Sequence, residues 1–169
     1  DKIRLLEDGT SPIYEKNLQE LLVANLQKKR LHFTTELPRA IEAAGLIFIA
    51  VGTPMSETGE ADIRAVIQVA EEIGRSMNEN KVIVVKSTVP VGTNKLVKDH
   101  IQAQLDQRQL SYRADMVSNP EFLREGSAVD DFLRPDRIVV GTDSQESQKV
   151  MERLYAPFVK NGHPLIFMD

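Results

Sequence analysis

The sequence predicts an α/β protein with a three-layer architecture, in which a parallel sheet is covered by helices on both faces. Short apolar runs alternate along the chain with amphipathic segments, which is the order that strands and crossover helices take in a parallel sheet. The runs are also apolar at nearly every position instead of at every second one. That pattern is typical of strands that are buried on both faces.

Five apolar runs are predicted to form the strands of this sheet. They are residues 46–51 (LIFIAV), 81–87 (KVIVVKS), 114–118 (ADMVS), 137–141 (RIVVG) and 165–169 (LIFMD), with 31–35 (LHFTT) as a weaker sixth candidate. Apolar residues at helical spacing predict helices between them. These cover residues 17–26, 36–44, 62–77, 93–105 and 144–158, and the first nine residues also resemble a helix. Asn17, Asp62 and Thr93 are candidate N-caps, and Asn78 is a candidate stop signal.

Composition narrows the class of protein. The chain has 169 residues, 41% of them hydrophobic, which suits one domain with a real core. Its 25 acidic and 21 basic residues give a net charge of -4, and no basic face stands out, so nucleic acid is not expected as a partner. No apolar run approaches the roughly 20 residues needed to cross a bilayer. We therefore expect no membrane partner and a cytoplasmic location.

Metal and thiol chemistry are not expected within the chain. There is no cysteine, which excludes a disulfide, a thiolate nucleophile and a cysteine metal site. The three histidines, His32, His100 and His163, are too scattered to form a zinc site. The sequence therefore predicts no metal.

Two predicted strands are followed by loops that suit a ligand. In VGTPMSETGEADI, Gly52 allows close approach of the backbone, Thr53 supplies a hydroxyl and Pro54 stiffens the turn. In KSTVPVGT, the hydroxyls of Ser87 and Thr88 leave the strand before a new helix begins. Ligands bind open parallel sheets at the carboxyl ends of the strands. The pair of loops indicates a site for a phosphate, a ribose or an amide, although each loop alone also fits a plain strand-to-helix turn.

A third loop, SNPEFLREGSAVDDFLRPDRIVVG, carries unusually spaced charges. Glu121 and Glu125 are four residues apart, so in a helical turn they would repel each other on one face. This local cost favours a site, in which a carboxylate acts as a general base or binds a sugar or an amide. The alternative is that arginines such as Arg124 pair with these acids. Arg134, Asp136 and Arg137 are interpreted as a salt-bridged lead-in to the next strand.

Taken together, these motifs resemble the UDP-glucose 6-dehydrogenase family of nucleotide-sugar dehydrogenases. The likeness rests on the three loops, on GTSPIYEKNLQELL near the start and on YAPF near the end, in the family's order. It implies a Rossmann-like NAD-binding domain of an enzyme that oxidises C6 of UDP-glucose twice to UDP-glucuronate, through a cysteine thioester. It also implies a UDP-sugar as substrate and a homodimer for the full-length enzyme.

The resemblance also implies roles for single residues. Glu121 matches the acid or base of thioester hydrolysis, and Thr88 matches the threonine associated with the reactive water. The cofactor-binding residues carried over are Val51, Gly52, Thr53, Pro54, Ser87, Thr88 and Glu125. The substrate-facing residues are Glu121, Phe122, Leu123, Arg124 and Glu125. Lys86 is typical of the family and is assigned no chemistry.

Against the family pattern, the sequence lacks a G-x-G-x-x-G loop and the catalytic cysteine. We therefore expect residues 1–169 to be a partial NAD-binding domain without its first β-α-β portion, with the central helix and UDP-sugar domain elsewhere. Such a chain is expected to be inactive alone, to bind NAD weakly and to be prone to self-association. Two alternatives stay open: a GDP-mannose or UDP-N-acetylmannosamine dehydrogenase, and a non-catalytic nucleotide-binding or interaction domain.

Overall fold

The computed structural model describes residues 2–55, 59, 61–159, 162 and 164–168. In this part of the chain, helices and strands alternate from residue 37 onward, after two initial helices. The helices are α1 (Lys2–Glu7), α2 (Leu18–Gln27), α3 (Leu37–Ala43), α4 (Arg64–Ser76), α5 (Thr93–Gln107), α6 (Ala128–Leu133) and α7 (Gln145–Tyr155). The strands are β1 (Leu46–Ile49), β2 (Lys81–Val85), β3 (Ala114–Ser118), β4 (Ile138–Gly141) and β5 (Leu165–Met168).

The five strands form one sheet in the order β1-β2-β3-β4-β5. The first three strands are parallel, with Ile47 opposite Ile83 and Ile83 opposite Met116. Strands β4 and β5 are also parallel to each other, but β3 and β4 pair antiparallel, with Ser118 opposite Gly141. The predicted α/β fold is confirmed, whereas the sheet is mixed instead of parallel throughout.

The reversal arises because the connection from β3 to β4 does not cross the sheet. The Nδ2 of Asn119, directly after β3, donates to the carbonyl oxygen of Val139 in β4 at 2.8 Å. This bond holds the start of the connection against the returning strand. A parallel pair would need a crossover to the opposite edge, and the short helix α6 makes none.

Both faces of the sheet are covered, which confirms the predicted three layers. Ile83 and Val84 are adjacent in β2 and point to opposite faces, yet both are fully buried. Ile83 packs with residues of α3, α4 and α5, including Ile41, Val66 and Ile101. Val84 belongs to a second core with Met151 and Tyr155 of α7. Burial of apolar surface on both sides explains why the strand runs lack a polar alternation.

Helices α4 and α5 approach closely at Gly74. A Cβ atom at this position would lie 2.6 Å from the carbonyl oxygen of Ile101 and 2.7 Å from the Cβ of Gln104. Contacts that short do not occur between real atoms, so only glycine allows the two helices this separation. This close approach was not predicted from the sequence.

Several predicted boundaries are corrected by the structure. Residues 31–35 form no strand, and none of the five described strands pairs with them. Gly92, with φ of 91°, is the N-cap of α5, and Thr93 is its first residue. Ile63 takes the N-cap position of α4 in place of Asp62. Asn17 caps α2 as predicted, but without a side-chain hydrogen bond. Asp169, the predicted end of the last strand, lies outside the described residues.

In the described part of the chain, no helix has the length and apolar character needed to cross a membrane.

Candidate active site

Three loops leave the sheet at one edge, because β1, β2 and β3 are parallel neighbours. They are the loop that begins at Ala50, the loop that begins at Lys86 and the loop that begins at Asn119. All three contain residues that the sequence analysis assigned to a site. Their convergence at the carboxyl edge agrees with the usual place of ligand sites in such sheets.

The first two loops are fastened to each other by side-chain hydroxyls. Thr53 Oγ1 donates to the carbonyl oxygen of Thr88 at 2.8 Å, and Ser87 Oγ donates to the carbonyl oxygen of Val51 at 2.6 Å. The Ser87 side chain is buried, so its hydroxyl joins the loops and does not face solvent. Two of the predicted cofactor residues therefore fix the backbone on which the others stand.

The surface beside these loops leaves room for a ligand. A Cβ atom at Gly52 would meet nothing within 4 Å, and the backbone there has no positive φ that would require glycine. Gly52, Pro54 and Thr88 are all exposed. A backbone that is open on this side, next to the exposed Thr88, fits the approach of a flat, polar group such as part of a dinucleotide.

Asn119 fixes the start of the third loop. Its backbone N–H donates to the carbonyl oxygen of Val85 at 3.0 Å, while its side chain holds Val139 as described above. The Oδ1 of Asn119 accepts the hydroxyl of Tyr155 and lies 3.5 Å from the Nζ of Lys86. Asn119 is only 1% exposed, so nearly all of its polar atoms are satisfied inside the protein. Burial also raises the pKa of the Tyr155 hydroxyl.

A cavity of about 520 Å³ opens beside this loop. It is lined by Lys86, Asn119, Pro120, Glu121, Phe122, Leu123, Arg124, Asp130, Asp131, Phe132, Arg134, Pro135, Asp136, Arg137, Ile138 and Tyr155. The lining brings the whole segment from 121 to 124 together with Lys86, which the sequence analysis left without a role. Glu125 is exposed and does not line the cavity.

Glu121 is the chemically unusual residue of this cavity. Its Oε2 is buried and has no hydrogen-bond partner among the described residues. A buried carboxylate oxygen without a partner is costly and rare outside functional sites. Burial lowers the pKa of the Lys86 ammonium, and the negative charge of Glu121 opposes that shift. The arrangement leaves one oxygen free to accept a proton or a hydrogen bond.

Glu121 and Glu125 do not share a helix face, which corrects that interpretation. Residues 119–124 are irregular, 125–127 form a turn, and α6 begins only at Ala128. Their expected repulsion along a helix therefore does not arise. In place of helical hydrogen bonds, the Asn119 side chain donates to Val139 and the backbone N–H of Arg124 donates to Asp131.

Arg124 forms its ion pair with an acid that was not predicted. Its Nη2 lies 2.7 Å from Oδ1 of Asp131, and its backbone N–H donates to Oδ2 of Asp131 at 2.9 Å. These bonds raise the pKa of the Arg124 guanidinium and lower the pKa of the Asp131 carboxyl. The arginine therefore pairs with neither Glu121 nor Glu125.

The predicted salt-bridged lead-in to β4 is wrong. Within the described residues, Arg134, Asp136 and Arg137 take part in no ion pair. Arg137 instead lies over the ring of Phe122, with its guanidinium carbon 4.8 Å from the ring centroid. All three residues line the cavity.

Sequence reasoning missed Lys86, Asp131 and Tyr155 as members of the site, and it placed Asn119 in the active-site turn without giving it a role. Asn119 was interpreted as the end of a strand, and Tyr155 as part of a helix pattern. One sequence signal could have indicated the role of Asn119. An asparagine directly before a proline at the end of a buried strand needs hydrogen-bond partners inside the protein. Its partners come from three other elements, which a single sequence does not reveal.

Comparison with known proteins identifies the family. The family model for the UDP-glucose/GDP-mannose dehydrogenase family, NAD binding domain, matches residues 1–159. UDP-glucose 6-dehydrogenase TuaD of Bacillus subtilis (strain 168) is 50% identical over 157 residues, which cover 93% of this chain and 33% of that protein. UDP-glucose 6-dehydrogenase of Pseudomonas aeruginosa is 42% identical over 168 residues, covering 99% of this chain and 37% of that protein.

Solved structures show the same fold. A UDP-glucose dehydrogenase from Pyrobaculum islandicum superposes with a TM-score of 0.88 at 35% identity, covering 99% of this chain and 38% of that one. A GDP-mannose dehydrogenase from Pseudomonas aeruginosa gives a TM-score of 0.89 at 33% identity, covering 98% and 38%. The chain spans about a third of the length of the curated relatives it matches. It belongs to the UDP-glucose/GDP-mannose dehydrogenase family and corresponds to the NAD-binding domain of that family.

Proposed function

We propose that this chain is the cofactor-binding portion of an NAD-dependent UDP-glucose 6-dehydrogenase, which oxidises C6 of UDP-glucose twice and yields UDP-glucuronate. The observation that carries the proposal is Glu121, whose buried and unpartnered oxygen lies in a 520 Å³ cavity at the carboxyl edge of the parallel strands. The relatives named UDP-glucose 6-dehydrogenase, at 50% and 42% identity, support this substrate.

The cofactor would be held by the first two loops together with Glu125 of the third. The residues proposed to contact NAD are Val51, Gly52, Thr53, Pro54, Ser87, Thr88 and Glu125. When bound, NAD supplies the hydride acceptor for both oxidations. Thr53 and Ser87 contribute by locking the loops together, and Gly52 contributes by leaving its side open. Thr88 has an exposed hydroxyl for a polar contact with the cofactor or with a water molecule.

Glu121 is proposed as the general acid or base. A carboxylate with a free oxygen in a partly enclosed cavity can take a proton from a water or an alcohol and return it. Lys86 lines the same cavity, and the negative charge of Glu121 partly offsets the lowering of the Lys86 pKa by burial. Phe122, Leu123 and Arg124 continue along the cavity wall and are proposed to face the UDP-sugar.

The remaining parts of the reaction are proposed to lie in other regions of the enzyme. The chain contains no cysteine, so it supplies no thiol for a thioester. Because it matches only 33% to 38% of its relatives, we propose that a UDP-sugar domain and a central helix complete the enzyme, which we expect to form homodimers. The 169-residue chain alone is then inactive and binds NAD weakly.

A GDP-mannose dehydrogenase is the second candidate, favoured by the TM-score of 0.89 to that enzyme at 33% identity. The two candidates differ only in the sugar nucleotide that the enzyme accepts. The higher identity to proteins named UDP-glucose 6-dehydrogenase favours the first.

A chimera tests the function. This chain replaces the matching third of the Bacillus subtilis relative, and NADH formation is followed with UDP-glucose and with GDP-mannose. We expect turnover with UDP-glucose alone. In the Glu121→Gln chimera we expect kcat to fall by about 100-fold or more. Because the relative supplies the UDP-sugar domain, a change to turnover with GDP-mannose alone would have to come from this chain and would support the second candidate. A Glu121→Gln chimera with unchanged kcat and pH profile would contradict the role of Glu121.

The isolated chain provides a second test. NAD is titrated into it while backbone amide signals are followed by NMR. We expect weak binding, with shifts confined to residues 51–54, 86–88 and 125. Micromolar affinity would contradict the expected weakness, and shifts elsewhere would contradict the proposed site.

A further inference from the structure

We propose that Glu15 is a positioning residue for the loop that carries Glu121 and Glu125. The inference rests on the proposed function, because that function gives the loop its role. Glu15 lies between α1 and α2, far from the loop in sequence. Its Oε1 accepts the backbone N–H of Gly126 at 2.8 Å, and its Oε2 accepts the backbone N–H of Ala128 at 3.1 Å.

Both amides need an acceptor from outside their own segment. Ala128 is the first residue of α6, where backbone N–H groups have no partner inside the helix. Ser127 occupies the N-cap position but makes no side-chain cap bond. Gly126 has φ of 81°, so the chain bends sharply directly after Glu125. The carboxylate of Glu15 therefore replaces a local cap and fixes this bend.

The segment that holds Glu15 is itself anchored. Gln19, on α2, accepts the backbone N–H of Ser11 through Oε1 at 2.9 Å and donates to the carbonyl oxygen of Gly9 through Nε2. The hydroxyl of Ser11 donates to the carbonyl oxygen of Ile13 at 2.7 Å. These bonds tie the segment before Glu15 to a helix of ten residues, so the carboxylate is presented from a supported turn.

Glu15 supplies the second of two ends at which the loop is held. Asn119 fixes the start through Val85 and Val139, as described above. Glu15 fixes the end, one residue beyond Glu125. A loop that is held at both ends presents its carboxylates in one arrangement. Ligand binding then requires little further ordering of the loop, so less conformational entropy is lost. The two hydrogen bonds that Glu15 accepts from Gly126 and Ala128 are called the clamp. Loss of the clamp should therefore weaken ligand binding without unfolding the domain.

Amide hydrogen exchange of the 169-residue chain tests the clamp directly. In Glu15→Gln, an NH₂ donor replaces one of the two acceptor oxygens. We expect the amides of Gly126 and Ala128 to exchange about tenfold faster, while amides of α5 keep their rates. The matched control is Glu20→Gln, which makes the same charge change at an exposed position on α2 and should leave all these rates unchanged. Glu15→Asp, which keeps the charge but is too short to span both amides, serves as a second variant if Glu15→Gln does not fold.

A binding measurement separates positioning from simple structural support. We expect the Kd for NAD to rise several-fold in Glu15→Gln at an unchanged Tm, and to stay constant in Glu20→Gln. Unchanged exchange at Gly126 and Ala128 would overturn the inference, as would a fall in Tm with faster exchange throughout the domain. If the unmodified chain binds no NAD, the proposed function fails, but the exchange rates still decide whether the clamp exists.

Discussion

The hydroxyl of Thr53 donates to the carbonyl oxygen of Thr88 at 2.8 Å and so joins two loops that are 35 residues apart in sequence. Each loop follows a strand of the same parallel pair, and neither has regular structure of its own at this point. The bond therefore sets the distance between the two backbones at which the cofactor is proposed to bind.

Replacement of Thr53 by valine should loosen this junction. Valine keeps the shape of threonine but cannot donate, so we expect the free energy of unfolding to fall by about 1 kcal/mol. NAD binding to the chain should weaken as well. Urea unfolding and an NAD titration measure the two effects. Thr35→Val is the control, since its exposed side chain forms no hydrogen bond in the described structure. Equal effects in both variants would argue against a specific role for the Thr53 bond.

Loss of the Asn119 side chain should destabilise the protein more than any surface change. Asn119→Ala removes the bonds to Val139 and Tyr155 and leaves their buried polar groups without partners. We expect a loss of about 3 kcal/mol in the free energy of unfolding, and about 1 kcal/mol for Tyr155→Phe, which removes only one bond. Urea unfolding at constant m-value gives both numbers. Tyr112→Phe is the control, because the hydroxyl of Tyr112 has no side-chain hydrogen bond within the described residues.

Gly74→Ala should be strongly destabilising although alanine favours helices. The added Cβ would lie 2.6 Å from the carbonyl oxygen of Ile101, so α4 and α5 must separate. We expect a cost of about 3 kcal/mol from this overpacking, which exceeds the roughly 1 kcal/mol gained from helix propensity. Gly45→Ala is the matched control, since a Cβ there meets nothing within 4 Å. Thermal unfolding should show a large fall in Tm for Gly74→Ala and almost none for Gly45→Ala.

Asp62 should contribute to stability in a pH-dependent way. Hydrogen bonds from Arg64 lower the pKa of the Asp62 carboxyl from 3.8 to about 2. A carboxyl whose folded-state pKa is depressed stabilises the protein above the unfolded-state pKa and loses that contribution as the pH falls through the folded-state value. The stability difference between the unmodified chain and Asp62→Asn should therefore be constant above about pH 5 and shrink toward pH 2. Unfolding midpoints at several pH values measure it, and a constant difference would contradict the assignment.

The sequence predicted those parts of the fold that depend on local pattern. The runs around Ile49, Val84 and Val117 became strands because their apolar side chains are buried on both faces. The direction of β4 was not predicted, because the apolar pattern of a run does not show which way its strand lies against a neighbour. The failure of residues 31–35 to form a strand has a similar cause, since a strand requires a neighbour that its own residues do not specify.

For the site as well, local features were predicted from the sequence and contacts between segments were not. Glu121, Thr53 and Thr88 were identified from their place after strands and from the family resemblance, and the structure brings their loops to one edge. The contacts that hold the third loop were missed: Asn119 and Glu15 bind segments distant in sequence, and Asp131 pairs with Arg124 seven residues away. Charged residues in a loop offer many possible pairs, and only the folded chain selects among them.

The reversal between β3 and β4 has a consequence for how this protein could diversify. Because the chain returns without crossing the sheet, residues 119–124, 130–132 and 134–137 of the connection all line the cavity. Insertions or deletions in this wall would leave the ladder registers of β1 to β3 and of β4 with β5 unchanged. The fold thus separates the sheet, which stability requires, from a cavity wall whose length and chemistry can vary. Under the proposed function, this wall is where a change in the preferred sugar nucleotide would disturb the sheet least.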